Sequence, residues 1–310
     1  MDLNIKDITN MAVVIPCYNE ELTIGKVIDD FRTYLPKADI YVINNRSTDK
    51  TAEIAGKKGA IVINEKRQGK GFTIISMFEL IKADYYVLVD GDDTYPAESV
   101  YELLKPIVNE EADMVVGTRL QEYKEKSFRP LHIMGNKIVI FLINKIFSSN
   151  LRDIMSGYRA FNNKIVSHLP IVAGGFDIET EMTLQCLYYN YVIEEVGIPY
   201  RPRPEGSYSK LHTIQDGFLV LLKILNLFKA YKPLTFFGLI GIAAFLLSLI
   251  FGSFPIYEYF KYKFIKRVPL AILATGLSLV GMVCFAIGII LHTINFRLKE
   301  LHSIFKRMKR

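Results

Sequence analysis

Two uncharged stretches dominate what this chain can become: about 22 residues from Thr235 to Ile256 and about 29 from Val268 to Phe296 carry no Asp, Glu, Lys or Arg. As helix, at 1.5 Å per residue, each can cross a hydrocarbon layer of about 30 Å. Helix is also the conformation in which a single segment satisfies its own backbone hydrogen bonds away from water. The alternative, two helices buried in a soluble core, needs a large domain around them, and only a basic tail follows Phe296. With 50% hydrophobic and 23% charged residues, the composition fits a globular part joined to a membrane part.

Positive charge predicts the orientation. Lys223, Lys229 and Lys232 precede the first stretch, and Arg297, Lys299, Lys306, Arg307, Lys309 and Arg310 follow the second. The connecting loop carries Lys261, Lys263, Lys266 and Arg267 against Glu258. Both termini are therefore expected in the cytoplasm, at the plasma membrane. Met1 to Asn10, polar and without an apolar signal core, keeps the N-terminal domain on that side. Residues 212–233 are expected to form a juxtamembrane helix. Phe218, Leu221, Leu222, Leu225 and Phe228 make one stripe with Lys223 and Lys229 off it, suited to the headgroup layer or to packing on a core. The net charge of +6 fits anionic lipid and phosphate ligands and gives no reason to invoke nucleic acid. Cys17, Cys186 and Cys284 match no disulfide framework or metal spacing.

Residues 1–211 read as an α/β domain. The apolar run Met11–Ile15 stops at Pro16 and is followed by a helical face of Ile24, Val27, Ile28, Phe31 and Leu35. Further strands are expected at Ile40–Ile43, Ala60–Ile63, Tyr85–Val89 and Met114–Val116, with helices over about 49–58 and around Ile74, Ile75 and Phe78. This alternation predicts a mostly parallel sheet covered on both faces, with ligands beyond the carboxyl ends of its strands.

Three polar loops occupy that edge: Pro16-Cys17-Tyr18-Asn19-Glu20, Asn44-Asn45-Arg46-Ser47 and Asp90-Gly91-Asp92-Asp93. The first lacks the glycines of a dinucleotide turn. Gly25-Lys26, Gly56-Lys57 and Gly69-Lys70 lack the Ser or Thr of a phosphate loop. No His-x-x-x-His pair or Gly-x-Ser-x-Gly elbow is present, which disfavours a zinc hydrolase or serine esterase. Asp90 and Asp92, two apart in extended backbone, point the same way and offer hard oxygens suited to Mg²⁺ or Mn²⁺. Such an ion would hold a diphosphate; an Asp-rich surface turn is the plainer alternative.

Taken in order, Val14-Ile15-Pro16-Cys17-Tyr18-Asn19-Glu20, Asn45-Arg46-Ser47-Thr48-Asp49, Asp90-Gly91-Asp92-Asp93 and Ser156-Gly157-Tyr158-Arg159 resemble family 2 glycosyltransferases of the GT-A fold. Within that family the chain is most similar, from about Ala12 to Leu211, to the polyprenyl-phosphate group of dolichol-phosphate mannose and glucose synthases. The resemblance implies inverting transfer of one sugar from a UDP- or GDP-linked donor to a polyprenyl phosphate, dolichyl or undecaprenyl. It implies that Pro16, Tyr18, Asn19 and Glu20 line the nucleotide pocket, with Gly91 beside them, and that Asp90 and Asp92 carry the metal. Many relatives have two Asp where this chain has Asn44 and Asn45, so contacts to base and ribose would run through amides, unless both merely form the turn.

The resemblance also implies that Arg119 and Arg129 grip the lipid phosphate, and that Arg203, Ser209 and Lys210 belong to a segment closing over the donor diphosphate. Surface arginines and a proline-rich connection are the alternatives. Ser156 and Arg159 are expected at the substrate. Asp153 matches an Asp near the reacting centre and is expected to be catalytic, with Asp92 and Arg119. A lipid phosphate has a second pKa near 6 and needs no base at neutral pH, so Asp153 instead orients or pairs with Arg159, or stabilises charge on the sugar. Asp177, Glu179 and Glu181 either touch sugar hydroxyls or form an acidic helix start.

Three rivals remain at this level. A processive synthase needs a Gln-x-x-Arg-Trp motif, and the chain has no Trp. The others are a catalytically silent anchor that binds nucleotide sugar or partner proteins, and a transferase with a non-lipid acceptor. The sequence is compatible with a homo-oligomer.

Overall fold

The run expected to stop at Pro16 continues through it as β1, Met11–Cys17, every residue of which is buried. β1 pairs in parallel with β2 (Asp39–Asn44) from Ala12↔Asp39 to Cys17↔Asn44, and with β4 (Tyr85–Leu88) from Met11↔Tyr85 to Val14↔Leu88. Cys17 O accepts from Asn45 N on the β2 side. Alternation therefore turns the nitrogen of Pro16 toward β4, where the register pairs have ended and no donor is needed.

The computed structural model describes residue 5 and residues 8–119, 130–171, 178–204, 225–226 and 228–308, and the chain divides into two compact units, Met1–Leu219 and Val220–Arg310. The first unit holds a seven-stranded sheet in the order β3, β2, β1, β4, β6, β5, β7. Here β3 is Ile61–Asn64, β5 Met114–Thr118, β6 Arg159–Asn162 and β7 Ile193–Gly197. Two of these strands go beyond the sequence expectation. β6, four residues beginning with a charge, runs antiparallel between β4 and β5, and β7 pairs in parallel with β5.

Alternation along β1 sends its side chains to two cores. Met11, Val13, Ile15 and Cys17 pack with Ile24, Val27, Ile28 and Phe31 of α1 (Ile24–Tyr34) and with Val100, Leu103, Leu104 and Ile107 of α4 (Val100–Val108). Ala12 and Val14 pack on the other face with Ile74 and Met77 of α3 (Lys70–Leu80) and with Ile178, Met182 and Cys186 of α7 (Ile178–Tyr188). Each large apolar side chain so buried contributes about 1.5–3 kcal/mol, which makes the central strands rigid supports for the loops that leave them. Among the described residues of this unit are three further α-helices: α2 (Thr51–Lys57), α5 (Pro130–Phe147) and α6 (Asn163–His168).

The second unit is a helical hairpin, Pro233–Tyr262 and Val268–Met308, and both helices are long and apolar enough to cross a membrane. Small residues let them approach. A Cβ on Gly241 would lie 2.9 Å from the Phe285 ring and 3.1 Å from Gly281 O, and Ser248 Oγ donates to Ala274 O at 2.7 Å. Glu258 closes the turn by accepting from the backbone N–H groups of Lys266 (3.0 Å) and Arg267 (3.1 Å). The expected juxtamembrane helix falls mostly outside the described residues.

Candidate active site at the carboxyl edge of the sheet

The loops after β1 and β2 are built as one piece. Asn19, at φ 54, donates its backbone N–H to Ser47 Oγ (3.0 Å), and its side-chain oxygen accepts from Thr48 N (2.8 Å). Glu20 N donates to Thr51 Oγ1 at 2.8 Å. Asn44 and Asn45 are buried and engaged. Asn44 Nδ2 donates to Asn64 Oδ1 (2.9 Å) while its Oδ1 accepts from Ser47 N (3.1 Å). Asn45 Nδ2 donates to Arg67 O (2.6 Å) and its Oδ1 accepts from Gly69 N (2.7 Å). Amides expected to read a base or ribose are thus bound to neighbouring loops and set their shape, and Tyr18 nearby in the first loop is half-exposed.

The Asp90–Asp93 loop follows β4. A Cβ on Gly91 would lie 2.7 Å from Cys17 Sγ, so only glycine lets this loop pass so close to β1, and Thr23 Oγ1 fixes it by donating to Gly91 O at 2.6 Å. Asp90 is held by Lys70, whose Nζ lies 2.5 Å from Asp90 Oδ1 and 2.5 Å from Glu179 Oε1. Burial opposes charge on Lys70, but the two carboxylates outweigh it and hold its pKa above the ordinary value. Asp92 is buried. Thr94 Oγ1 donates to its Oδ1 (2.6 Å), and Arg203 Nη2 lies 2.6 Å from its Oδ2. Both carboxylates thus accept positive charge from the chain itself.

Beyond β5, Arg119 grips Asp153. Its Nε donates to Oδ2 at 2.9 Å, Nη2 to Oδ1 at 3.0 Å, and its backbone N to Oδ2 at 3.2 Å. The Tyr200 ring lies 5.7 Å from the guanidinium, and Tyr95 meets Tyr200 edge-on at 5.2 Å. Burial pushes the Asp153 carboxyl toward neutrality, but the hydrogen bonds and charge of Arg119 prevail and hold it below the usual value. Glu195 supports the other side, accepting from Asp153 N (2.9 Å) and Arg152 N (2.7 Å).

One expectation is corrected here. Arg159 does not pair with Asp153: it starts β6, is wholly buried, and donates to Ser156 O (2.9 Å), Ile154 O (2.7 Å) and Thr183 Oγ1 (2.9 Å). Ser156 is also wholly buried, with its hydroxyl 3.4 Å from Tyr95 OH. Arg159 thereby ties the 153–157 segment to α7.

Arg129, Asp177, Ser209 and Lys210 lie outside the described residues. Glu179 and Glu181 open α7, the acidic helix start anticipated as one alternative, and Glu181 Oε1 accepts from Gln185 Nε2 at 3.1 Å. Lys70, Tyr95, Tyr200 and Glu195 were missed by sequence reasoning. Gly69-Lys70-Gly71 fails as a dinucleotide turn, with Ile74 where a third glycine belongs, and as a phosphate loop, yet Gly69, at φ 128, bends the chain into α3 there.

The carboxylates of Asp90 and Asp92 suit a divalent ion: hard oxygen donors on one loop, each already set against a cation. Among the described residues no group of three or more His, Cys, Asp or Glu forms a ready cage, so an ion here would draw its remaining ligands from phosphate or water.

Comparison with known proteins fits this geometry. The profile of Glycosyl transferase family 2 matches residues 12–169. The glycosyltransferase AglJ of Haloferax volcanii is 32% identical over 281 residues, covering 90% of this chain and 92% of that protein. The dolichyl-phosphate hexose transferase of the same organism is 31% identical over 195 residues, 63% of this chain and 84% of its own. Glucosyl-3-phosphoglycerate synthase of Mycobacterium tuberculosis, solved with Mn²⁺ and uridine-diphosphate-glucose, superposes with a TM-score of 0.57 at 20% identity, over 71% of this chain and 78% of that one. The chain belongs to glycosyl transferase family 2. It is a glycosyltransferase with the GT-A fold, and its relatives include members of the polyprenyl-phosphate group.

Proposed function

We propose that the enzyme moves a single sugar from a UDP- or GDP-linked donor to a polyprenyl phosphate, dolichyl or undecaprenyl, with inversion, at the cytoplasmic face of the plasma membrane. The observation that carries this reading is a paired acidic loop and a half-buried Arg119–Asp153 fork on one sheet edge, in a chain that also has two helices of membrane length. The relative that acts on dolichyl phosphate by name adds support.

In the reaction, a lipid phosphate oxygen attacks the anomeric carbon. The bond from that carbon to the donor diphosphate breaks, and its electron pair leaves with the nucleoside diphosphate. Mg²⁺ or Mn²⁺ bound by Asp90 and Asp92 would supply charge stabilisation to that leaving group. Arg203, and beyond the described residues Ser209 and Lys210, would add to it, while Pro16, Tyr18, Asn19 and Glu20 hold the nucleotide. Arg119, joined by Arg129, receives the lipid phosphate, and Asp153 aims Arg119. Asp153 is a weak base because Arg119 holds its pKa below the usual value, and the attacking phosphate, with a second pKa near 6, needs none. An acceptor confined to the bilayer is kept at high local concentration for an anchored enzyme.

The test incubates purified full-length protein with polyprenyl phosphate, a panel of nucleotide sugars and Mg²⁺ or Mn²⁺, and reads organic-phase products by mass spectrometry. A new glycolipid with one donor is the expected result. No organic-phase product with any donor, or label retained in a water-soluble product, overturns the reading.

A further inference from the structure

Lys70 stands where an ion bound to Asp90 would have to come. It opens α3, and Glu179 lies in the first turn of α7, so two helices deliver an ammonium and a carboxylate to the same point. The ammonium touches both Asp90 Oδ1 and Glu179 Oε1 at 2.5 Å. The second oxygen of Asp90 is walled by Gly157, where a methyl group would run into the carboxylate. A divalent ion approaching Asp90 therefore meets a positive charge already seated on its open side, and two cations at such short range repel strongly. Glu179 is only 7% exposed, and a carboxylate so enclosed favours keeping the ammonium beside it.

We propose that Lys70 is an internal counter-cation which a divalent ion displaces from Asp90, and that Glu179 is the positioning carboxylate that retains the displaced ammonium. In the metal-free protein Lys70 neutralises the site; on metal binding it shifts its weight to Glu179 and remains beside the ion as a second positive group. The inference rests on the metal-using reading above, but it concerns ion binding alone and needs neither donor nor lipid.

The experiment titrates Mn²⁺ into the full-length protein in detergent, without sugar donor or acceptor, and reads free Mn²⁺ by electron paramagnetic resonance. Lys70→Met should tighten Mn²⁺ binding by about three- to tenfold, because the cation on Asp90 no longer has to be moved, while Arg203 on Asp92 is common to both proteins. Glu179→Gln should weaken it by a similar factor, since the ammonium then stays on Asp90. In the Lys70→Met background Glu179→Gln should have almost no effect, because its role passes through Lys70. Simple charge bookkeeping predicts additive effects instead, so the double variant separates the two. Unchanged or weaker binding in Lys70→Met, additive effects in the double variant, or a wild-type chain that takes up no Mn²⁺ overturns the proposal. Lys70→Gln is the second variant if Lys70→Met lowers the melting temperature. If glycolipid forms while Lys70→Met leaves Mn²⁺ affinity unchanged, this inference alone falls; if Lys70→Met tightens Mn²⁺ and no glycolipid forms, the proposed reaction alone falls.

Discussion

Arg119 and Asp153 meet as fork and carboxylate, at 2.9 Å and 3.0 Å, and Tyr200 lies against the guanidinium on another side. The partners are 34 positions apart in sequence, a span that includes the segment 120–129 and helix α5. Only the sheet, which sets β5 beside β6, brings the two together. A guanidinium fixed in this way offers its remaining N–H groups in a set direction, as recognition of a phosphate requires.

Asp153→Asn should keep the fold and lower kcat/KM for the lipid phosphate by about 100-fold, the cost of misplacing a binding group by roughly 1 Å. The carboxyl of Asp153 is held below its ordinary value, so its pairing contributes stability above the unfolded pKa near 3.9 and loses it only as pH falls through the lower folded value. Between pH 5 and 8 its charge is constant. Any acidic limb near pH 6 in the rate profile should therefore persist in Asp153→Asn, because it belongs to the lipid phosphate. Loss of that limb in the variant would assign the proton to Asp153.

Gly157→Ala places a methyl against the Asp90 carboxylate. Donor turnover should fall by about tenfold or more while the melting temperature moves by only a few degrees, since the carboxylate can swing aside at the expense of its alignment. Steady-state kinetics beside a thermal melt would check both halves.

Arg159→Met should act on stability. Removing a wholly buried guanidinium leaves the carbonyls of Ile154 and Ser156 without their donor, at a cost of about 2–4 kcal/mol. Arg119→Lys, which keeps a cation against Asp153 at a partly exposed position but loses the planar fork, should instead reduce activity with little loss of stability. Chemical denaturation of the two variants side by side reads the contrast, and equal destabilisation would show that the two arginines have the same role.

Gly241→Leu should open the helical hairpin, because even a Cβ there lies 2.9 Å from Phe285. A loss of about 1–3 kcal/mol is expected from overpacking. Gly276→Leu, where a Cβ meets nothing within 4 Å, should be tolerated. Melting temperatures in one detergent, compared between the two variants, measure the difference.

Much of this architecture was legible in the chain. The helices of membrane length were readable because a bilayer imposes length and apolarity directly on sequence. The strands β1 to β5 were readable because each is a short apolar run between polar loops. β6 was not, because its four residues begin with a charged arginine whose burial depends on hydrogen bonds to Ile154, Ser156 and Thr183. Tyr95 and Tyr200 carry no local signal, since an aromatic side chain in a loop reads the same whether or not it supports an arginine.

By itself, then, the sequence determined the two-part layout, the alternating α/β pattern, the acidic loop after β4 and the family, all of which depend on periodicity and local spacing. Tertiary structure alone decided which charge meets which: Lys70 with Asp90 and Glu179, Arg203 with Asp92, and Asp153 with Arg119 in place of Arg159. The reason is physical. A salt bridge needs its partners within 4 Å, and strand order, which is set by packing on both faces of the sheet, determines which distant residues come that close.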